Sequence, residues 1–315
     1  MGTTWSVRLV DIPAAHSSDE ESAGRWQQQI QAQLDTVVAQ MSHWLADSDL
    51  GRFNRAPAGS WQILPEAFFE VLTYALDVAE ASGGAYDPAA GALVNAWGFG
   101  PSGRYDEPGF RRPDIETIEA ALQRGGWRQL TIDAGARKVR QPGGALLDFS
   151  AVAKGHGVDR VARYLESQGV EHYLVEVGGE LRGAGVKPDQ LPWWVALEQP
   201  PSPAAATAET IVALHGLAVA TSGDYRRFYQ AGNAYTSHTI DPRSGRPIRN
   251  GIASVTVLHA SCMAADALST ALTVLGVEDG MAFAEEQRLA ARFLVRDSDN
   301  GFVEYVSRAF TAMLQ

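Results

Sequence analysis

From residue 172 to residue 258 the chain reads as one strand signal after another, with no helical periodicity between them. Short β-branched and aromatic runs occupy 172–177 (His-Tyr-Leu-Val-Glu-Val), 193–197, 211–214 and 254–258. Alternating flanks around Ala231-Gly-Asn233 predict a hairpin. Two more runs follow at 292–295 and 302–306, and a short one precedes at 130–132. A doubly wound parallel sheet needs a helix between successive strands. Strands clustered in this way predict instead an α+β fold, with antiparallel sheets packed against helices.

The helices lie mostly in the first half. Ile30, Leu34, Val37, Val38 and Met41 recur at steps of three and four and make one apolar stripe. A second helix opens at Pro65, a favoured first-turn residue, runs through Phe68, Val71, Leu72, Ala75, Leu76 and Ala79, and stops at Gly83-Gly84. Asp114 is placed to cap a third, with Ile118 and Leu122 inward. Val158, Val161, Ala162 and Leu165 mark a fourth that ends at Gly169. A fifth is expected over roughly 262–275, with a shorter one near 279–288. The Pro-rich stretches 188–192 and 200–203 read as surface loops, since strand signals continue on both sides.

Thirty-seven acidic against 26 basic side chains give a formal charge of −11, and no Lys/Arg run supplies the local positive field that a nucleic-acid groove requires. Cys262 is the only cysteine, which excludes an internal disulfide and a cysteine-based zinc or iron–sulfur site. No stretch approaches the ~20 apolar residues of a membrane span. The first ten residues lack a basic segment followed by an apolar one, so no signal peptide is expected there.

Four segments are too peculiar for packing alone. In the first, 41–55, an amphipathic helix runs into a polar turn where Trp44 could stack on a flat ring or simply pack. The second joins Ser82-Gly-Gly-Ala85-Tyr86-Asp87 to Trp97-Gly-Phe-Gly-Pro101, either a close approach to a ligand or a helix stop followed by a turn. In the third, a strand is expected to end at Asp148-Phe149 and a helix to begin within 153–158. Such a junction exposes backbone groups to phosphate or metal, with Lys154 beside it as a phosphate partner or a solvated charge. The spacing is not that of a P-loop. The fourth combines 221–226 and 237–247 with Cys262–Thr270. Asp266 and Thr270 are four apart on a predicted helix, so their oxygens share a face. A carboxylate at the polar edge of an apolar helix, with a hydroxyl one turn on, suits a hard cation such as Mg²⁺. The plain alternative is a solvent-facing Asp, with the Thr bonded back to its own helix.

Together these segments resemble the FAD:protein FMN transferase (ApbE) family, from Met1-Gly-Thr-Thr-Trp5 to about Gly276. The resemblance is carried by Ser82–Asp87 with Trp97–Pro101, Asp148 to Gly155, Val177-Gly-Gly-Glu180, Ala220-Thr-Ser-Gly-Asp-Tyr225, Ser237-His-Thr-Ile-Asp-Pro242 and Ala265-Asp-Ala-Leu-Ser-Thr270, all in order. It implies an ApbE-like, T-fold-related architecture. The whole chain, 1–315, would form one catalytic unit, with two interleaved subdomains around the active site as the variant arrangement. It also implies a Mg²⁺-dependent enzyme that cleaves FAD, attaches FMN through a phosphoester to a Ser or Thr of an acceptor, and releases AMP.

By position, the implied metal ligands are the Ala151 carbonyl, Asp266 and Thr270. The implied FAD contacts are Met1, Trp44, Ala85, Tyr86, Asp87, Asp148, Lys154 and Ile240, and the implied catalytic histidine is His238. Trp44 stands where Tyr is frequent, and His156 where Tyr or Phe is common. Acceptors in the family are subunits of membrane redox complexes with a short Thr-containing motif. The implied location is the periplasm or the outer side of the bacterial inner membrane in a longer form, with the cytoplasm as alternative, because the Met-Gly-Thr motif of many members follows a lipoprotein signal. Two competing readings are an FAD pyrophosphatase and a non-catalytic flavin-binding assembly factor. A flavin dehydrogenase is disfavoured, because no Gly-x-Gly-x-x-Gly follows a strand.

Overall fold

The computed structural model describes residues 3–10, 20–200, 209–225, 228–231, 234–297 and 301–314. In chain order its elements are β1 (Trp5–Val10), α1 (Glu20–Met41), α2 (Asp49–Asn54), β2 (Trp61–Ile63), α3 (Glu66–Ala81), α4 (Gly91–Ala96), α5 (Ile115–Arg124), β3 (Thr131–Asp133), β4 (Lys138–Arg140), α6 (Ala153–Ser167), β5 (His172–Val177), β6 (Glu180–Ala184), β7 (Trp193–Ala196), β8 (Ile211–Leu214), β9 (Leu217–Gly223), β10 (Phe228–Ala231), β11 (Ala234–Ser237), β12 (Ile240–Asp241), β13 (Arg246–Pro247), β14 (Ile252–His259), α7 (Cys262–Glu286), β15 (Ala290–Arg296), β16 (Phe302–Val306) and α8 (Arg308–Met313).

The centre is a seven-stranded sheet in the order β1-β5-β6-β9-β14-β15-β16, antiparallel at every pairing. This is the α+β arrangement that the clustered strand signals predict. Alternation along the strands sends successive side chains to opposite faces. On β9, Ala218 and Ala220 face the helices while Val219 faces the β7–β8 hairpin and α8. Because both faces are covered, β14 is buried along nearly its whole length. One face carries α6 and α7, with α1 and α3 packed outside them. A three-stranded sheet, β2-β4-β3, and the hairpins β10–β11 and β12–β13 lie outside the central sheet. The expected hairpin at 231–233 is present, with Ala231 paired to Ala234 and its tip outside the described residues.

Asp114 caps α5 by accepting from the Thr117 N–H at 2.8 Å, as its position predicts. α7 is interrupted at Gly276 (φ 86°), so it comprises two helical stretches, matching the expected break. By length and composition alone this helix is apolar enough to cross a bilayer, but it is largely buried within the protein. Two expectations need correcting. No strand ends at Asp148-Phe149: the segment makes only a single bridge, Ala90 to Leu146, and then turns at 150–152 into α6. Asp266 does not sit at a polar edge, because α7 is buried on nearly all sides and Asp266 is 2% exposed.

Candidate active site

The four unusual segments converge. The Asn54 side chain bonds both backbone groups of Leu147, donating to its carbonyl at 3.0 Å and accepting from its N–H at 2.8 Å, so the end of α2 fixes the loop that carries Asp148. The Asp148 N–H donates to the Pro88 carbonyl at 2.8 Å, which ties that loop to the Ala85–Asp87 turn. The Trp97 indole donates to the Gly245 carbonyl at 2.8 Å, drawing in the turn after β12. Each is a local polar group satisfied by a distant segment, as buried backbone requires.

The centre lies where α6 meets α7. α6 begins at Ala153, so the Gly155 N–H belongs to its first turn, whose donors have no acceptor within the helix. There the Gly155 N–H donates to Asp266 Oδ2 at 2.9 Å. Asp266 Oδ1 accepts from Lys154 Nζ at 3.0 Å, and the same ammonium pairs with Glu180. Burial works against the lysine charge, but Asp266 and Glu180 outweigh it and hold the ammonium above its ordinary value. Lys154 is therefore not the freely solvated charge of the alternative reading. Thr270, one turn beyond Asp266, shares a hydrogen bond with Ser222 of β9 at 2.8 Å, and Ser222 also meets Ser269 at 2.8 Å. The Thr270 hydroxyl is thus tied across to the sheet rather than back to its own helix.

Tyr86 forms another wall. Its side chain is buried, and its hydroxyl has no hydrogen-bond partner. Burial first, then the charges of Asp266, Asp148 and Asp87, push this phenol well above its ordinary range. Asp87 accepts from the N–H groups of Ala89 (2.8 Å) and Trp127 (3.2 Å). Those bonds lower its pKa, but burial prevails and pushes it up to about 6. Asp148 accepts from the Ser150 N–H at 2.8 Å and lies 3.6 Å from His43. Trp44 stands beside His43, with ring centroids 5.3 Å apart, and carries the Arg104 guanidinium 5.7 Å over its face. Trp44 is 46% exposed. Ala85 and Ile240 are buried, Ile240 in a cluster with Leu93, Trp97, Ile118 and Ala121. His238 is half-buried, edge-on to Phe99 at 6.1 Å in an aromatic group with Tyr105 and Tyr229. Met1 lies outside the described residues.

Among the described residues no three His, Cys, Asp or Glu side chains gather to form a metal cage. The oxygens named by the family resemblance are of three kinds: the Ala151 carbonyl, the Asp266 carboxylate and the Thr270 hydroxyl. An incomplete, all-oxygen set of this kind fits a hard cation that takes its remaining ligands from water and substrate phosphates. The buried Tyr86 hydroxyl, without a hydrogen-bond partner, fits a ligand-lined site.

Sequence reasoning assigned no role to Glu180, Ser222 or Asp159. Glu180 was legible as part of Val177-Gly-Gly-Glu180. Gly178 (φ 63°) and Gly179 (φ 98°) form the two-residue loop joining β5 to β6, a conformation that strongly favours glycine at both positions, and the loop delivers Glu180 to Lys154. Asp159 is buried beneath the start of α7. It accepts from the N–H groups of Cys262 and Met263 (both 3.0 Å) and the Ser261 hydroxyl (2.7 Å), and it pairs with Arg182 at 2.8 Å. No spacing rule reveals a contact between residues a hundred positions apart.

A family model described as the ApbE family matches residues 1–293. An FAD:protein FMN transferase of Vibrio cholerae is 39% identical over 314 residues, spanning all of this chain and 90% of the relative. One from Escherichia coli K12 is 33% identical over 317 residues, spanning all of this chain and 87% of the relative. The crystal structure of the apo Pseudomonas stutzeri flavinyl transferase ApbE superposes with a TM-score of 0.87 at 39% identity, covering 99% of this chain and 94% of that one. The ApbE protein of Thermotoga maritima gives 0.84 at 26% identity, with 99% of each chain covered. Given a match over almost its whole length in both sequence and fold, this chain belongs to the ApbE family.

Proposed function

We propose that this protein is an FAD:protein FMN transferase that cleaves FAD at its pyrophosphate, joins FMN to a Ser or Thr hydroxyl of an acceptor protein and releases AMP. Family membership supports the reaction class. The observation that supports the location is the bond from the Gly155 N–H to Asp266, which holds the start of α6 against α7; the oxygen donors of this reading are the Ala151 carbonyl just before α6, the Asp266 carboxylate and the Thr270 hydroxyl. These three would hold Mg²⁺, which when bound supplies Lewis-acid polarisation of the phosphate oxygens.

The chain's own residues do the remaining work. Trp44 offers its exposed face to a flat ring, and the loop of Ala85, Tyr86 and Asp87 closes against the ligand beside it. Asp148 and Ile240 complete the flavin-dinucleotide contacts, and Lys154 places its ammonium toward the pyrophosphate. The rigid tie of Asp266 to the Gly155 backbone means that little reorganisation accompanies the charge shift at phosphorus. The acceptor oxygen bonds the FMN-side phosphorus, the bond to the bridging oxygen breaks, and AMP leaves with that oxygen. His238 accepts the hydroxyl proton. The acceptor is a redox-complex subunit that presents a Thr- or Ser-containing motif.

Replacing Asp266 with Ala tests the assignment. FAD turnover stimulated by Mg²⁺, followed as AMP release, should fall by at least about a hundredfold, while the far-UV circular dichroism stays native. Retained activity removes Asp266 from the site.

A further inference from the structure

Asp266 and Glu180 are carboxylates only 2% and 4% exposed, from α7 and β6, and one side chain, Lys154 of α6, bridges them. Both oxygens of Asp266 are engaged, one by that ammonium at 3.0 Å and one by the Gly155 N–H at 2.9 Å. Burying a carboxylate without a counter-charge is strongly unfavourable. We propose that Lys154 is the resident counter-ion of Asp266, occupying the charge position that a divalent cation takes over, and that Glu180 is the positioning residue that retains the displaced ammonium. This rests on the flavin-transfer reading of the same site.

The charges make the exchange workable. Asp266, Glu180 and Lys154 sum to −1. A divalent cation brings the group to +1, and the two negative charges of a pyrophosphate return it to −1. The cation and the dinucleotide therefore favour each other's entry. With Lys154 kept on Glu180, Asp266 releases one hydrogen bond rather than losing its neighbour altogether, and it keeps the Gly155 N–H throughout. Without Glu180, the ammonium has only Asp266 to pair with and competes harder for it.

The test is direct metal binding without flavin, by titration calorimetry with MgCl₂ and by electron paramagnetic resonance with MnCl₂. Lys154→Met is expected to bind either ion about tenfold more tightly than wild type, because like-charge repulsion is removed at close range. Glu180→Gln is expected to bind about fivefold more weakly. The opposite signs separate this exchange from a merely structural role, which weakens binding in both variants. Unchanged or weaker binding by Lys154→Met overturns the proposal, as does tighter binding by Glu180→Gln. Wild-type protein that takes up neither ion overturns the cation assignment itself. A wild type that binds, with a Lys154→Met that gains nothing, overturns the counter-ion role alone.

Discussion

Asp87 illustrates how burial and hydrogen bonding compete within one side chain. Two backbone N–H groups favour its anion, yet burial dominates and pushes its pKa up to about 6. The folded chain then holds this proton more tightly than the unfolded chain, where the carboxyl keeps its value of 3.8. Asp87 therefore contributes no penalty below pH ~4, and one that grows as the pH rises to about 6 and persists above it. In urea unfolding between pH 4 and 6.5, stability should rise less steeply with pH in wild type than in Asp87→Asn. Equal slopes would show that Asp87 titrates normally. The sequence marked Tyr86 and Asp87 by their Gly-rich turn, and Asp148 by an expected strand-to-helix junction. Their burial and mutual charge were not legible, because those depend on which distant segments close over them.

At the level of elements, the contact of α6 with α7 decides the geometry of the site. A Cβ added at Gly155 would meet the Cys262 carbonyl oxygen at 2.2 Å, a backbone atom that cannot swing aside. Gly155→Ala should separate the two helices, cost about 1–3 kcal/mol in chemical denaturation, and weaken divalent-cation binding at the same time. Stability and cation binding both unchanged would mean that the helices need not touch here. Asp159 secures the same junction four residues along α6. Its replacement by Ala removes the acceptor for two α7 N–H groups and strips the partly buried Arg182 of one of its two acidic partners, Glu166 remaining, so a loss of about 3–5 kcal/mol is expected. A loss below about 1 kcal/mol would contradict this role.

The long elements were legible because their periodicity is strong: α1, α3, α6, β5, β14 and β15 all lie where their apolar patterns place them. Others were not: β6 and β9 of the central sheet carried no strand signal, although β3, β7 and β8, of three or four residues, lie at theirs. α2, α4, β2 and β12 are too brief to show a period, and tertiary contacts such as Asn54 with Leu147 hold them. The edge strand β1 was also missed, since Trp5, Val7 and Leu9 alternate with polar residues over too short a run.

Over the whole molecule, the central antiparallel sheet acts as a platform. β9 offers Ser222 to Thr270 and β6 offers Glu180 to Lys154, while the loops from the helical first half close over them. Family motifs scattered over nearly 190 positions, from Ser82 to Thr270, thus meet in one site, which the sequence could indicate only through their order and resemblance. The most direct test of flavin transfer is intact-mass analysis of an acceptor subunit incubated with this protein, FAD and Mg²⁺. Transfer predicts a mass gain of one FMN phosphoester, abolished when the acceptor Thr or Ser is replaced by Ala, with AMP released in equal amount. AMP and free FMN appearing beside an acceptor of unchanged mass would contradict it and make the site that of a hydrolase.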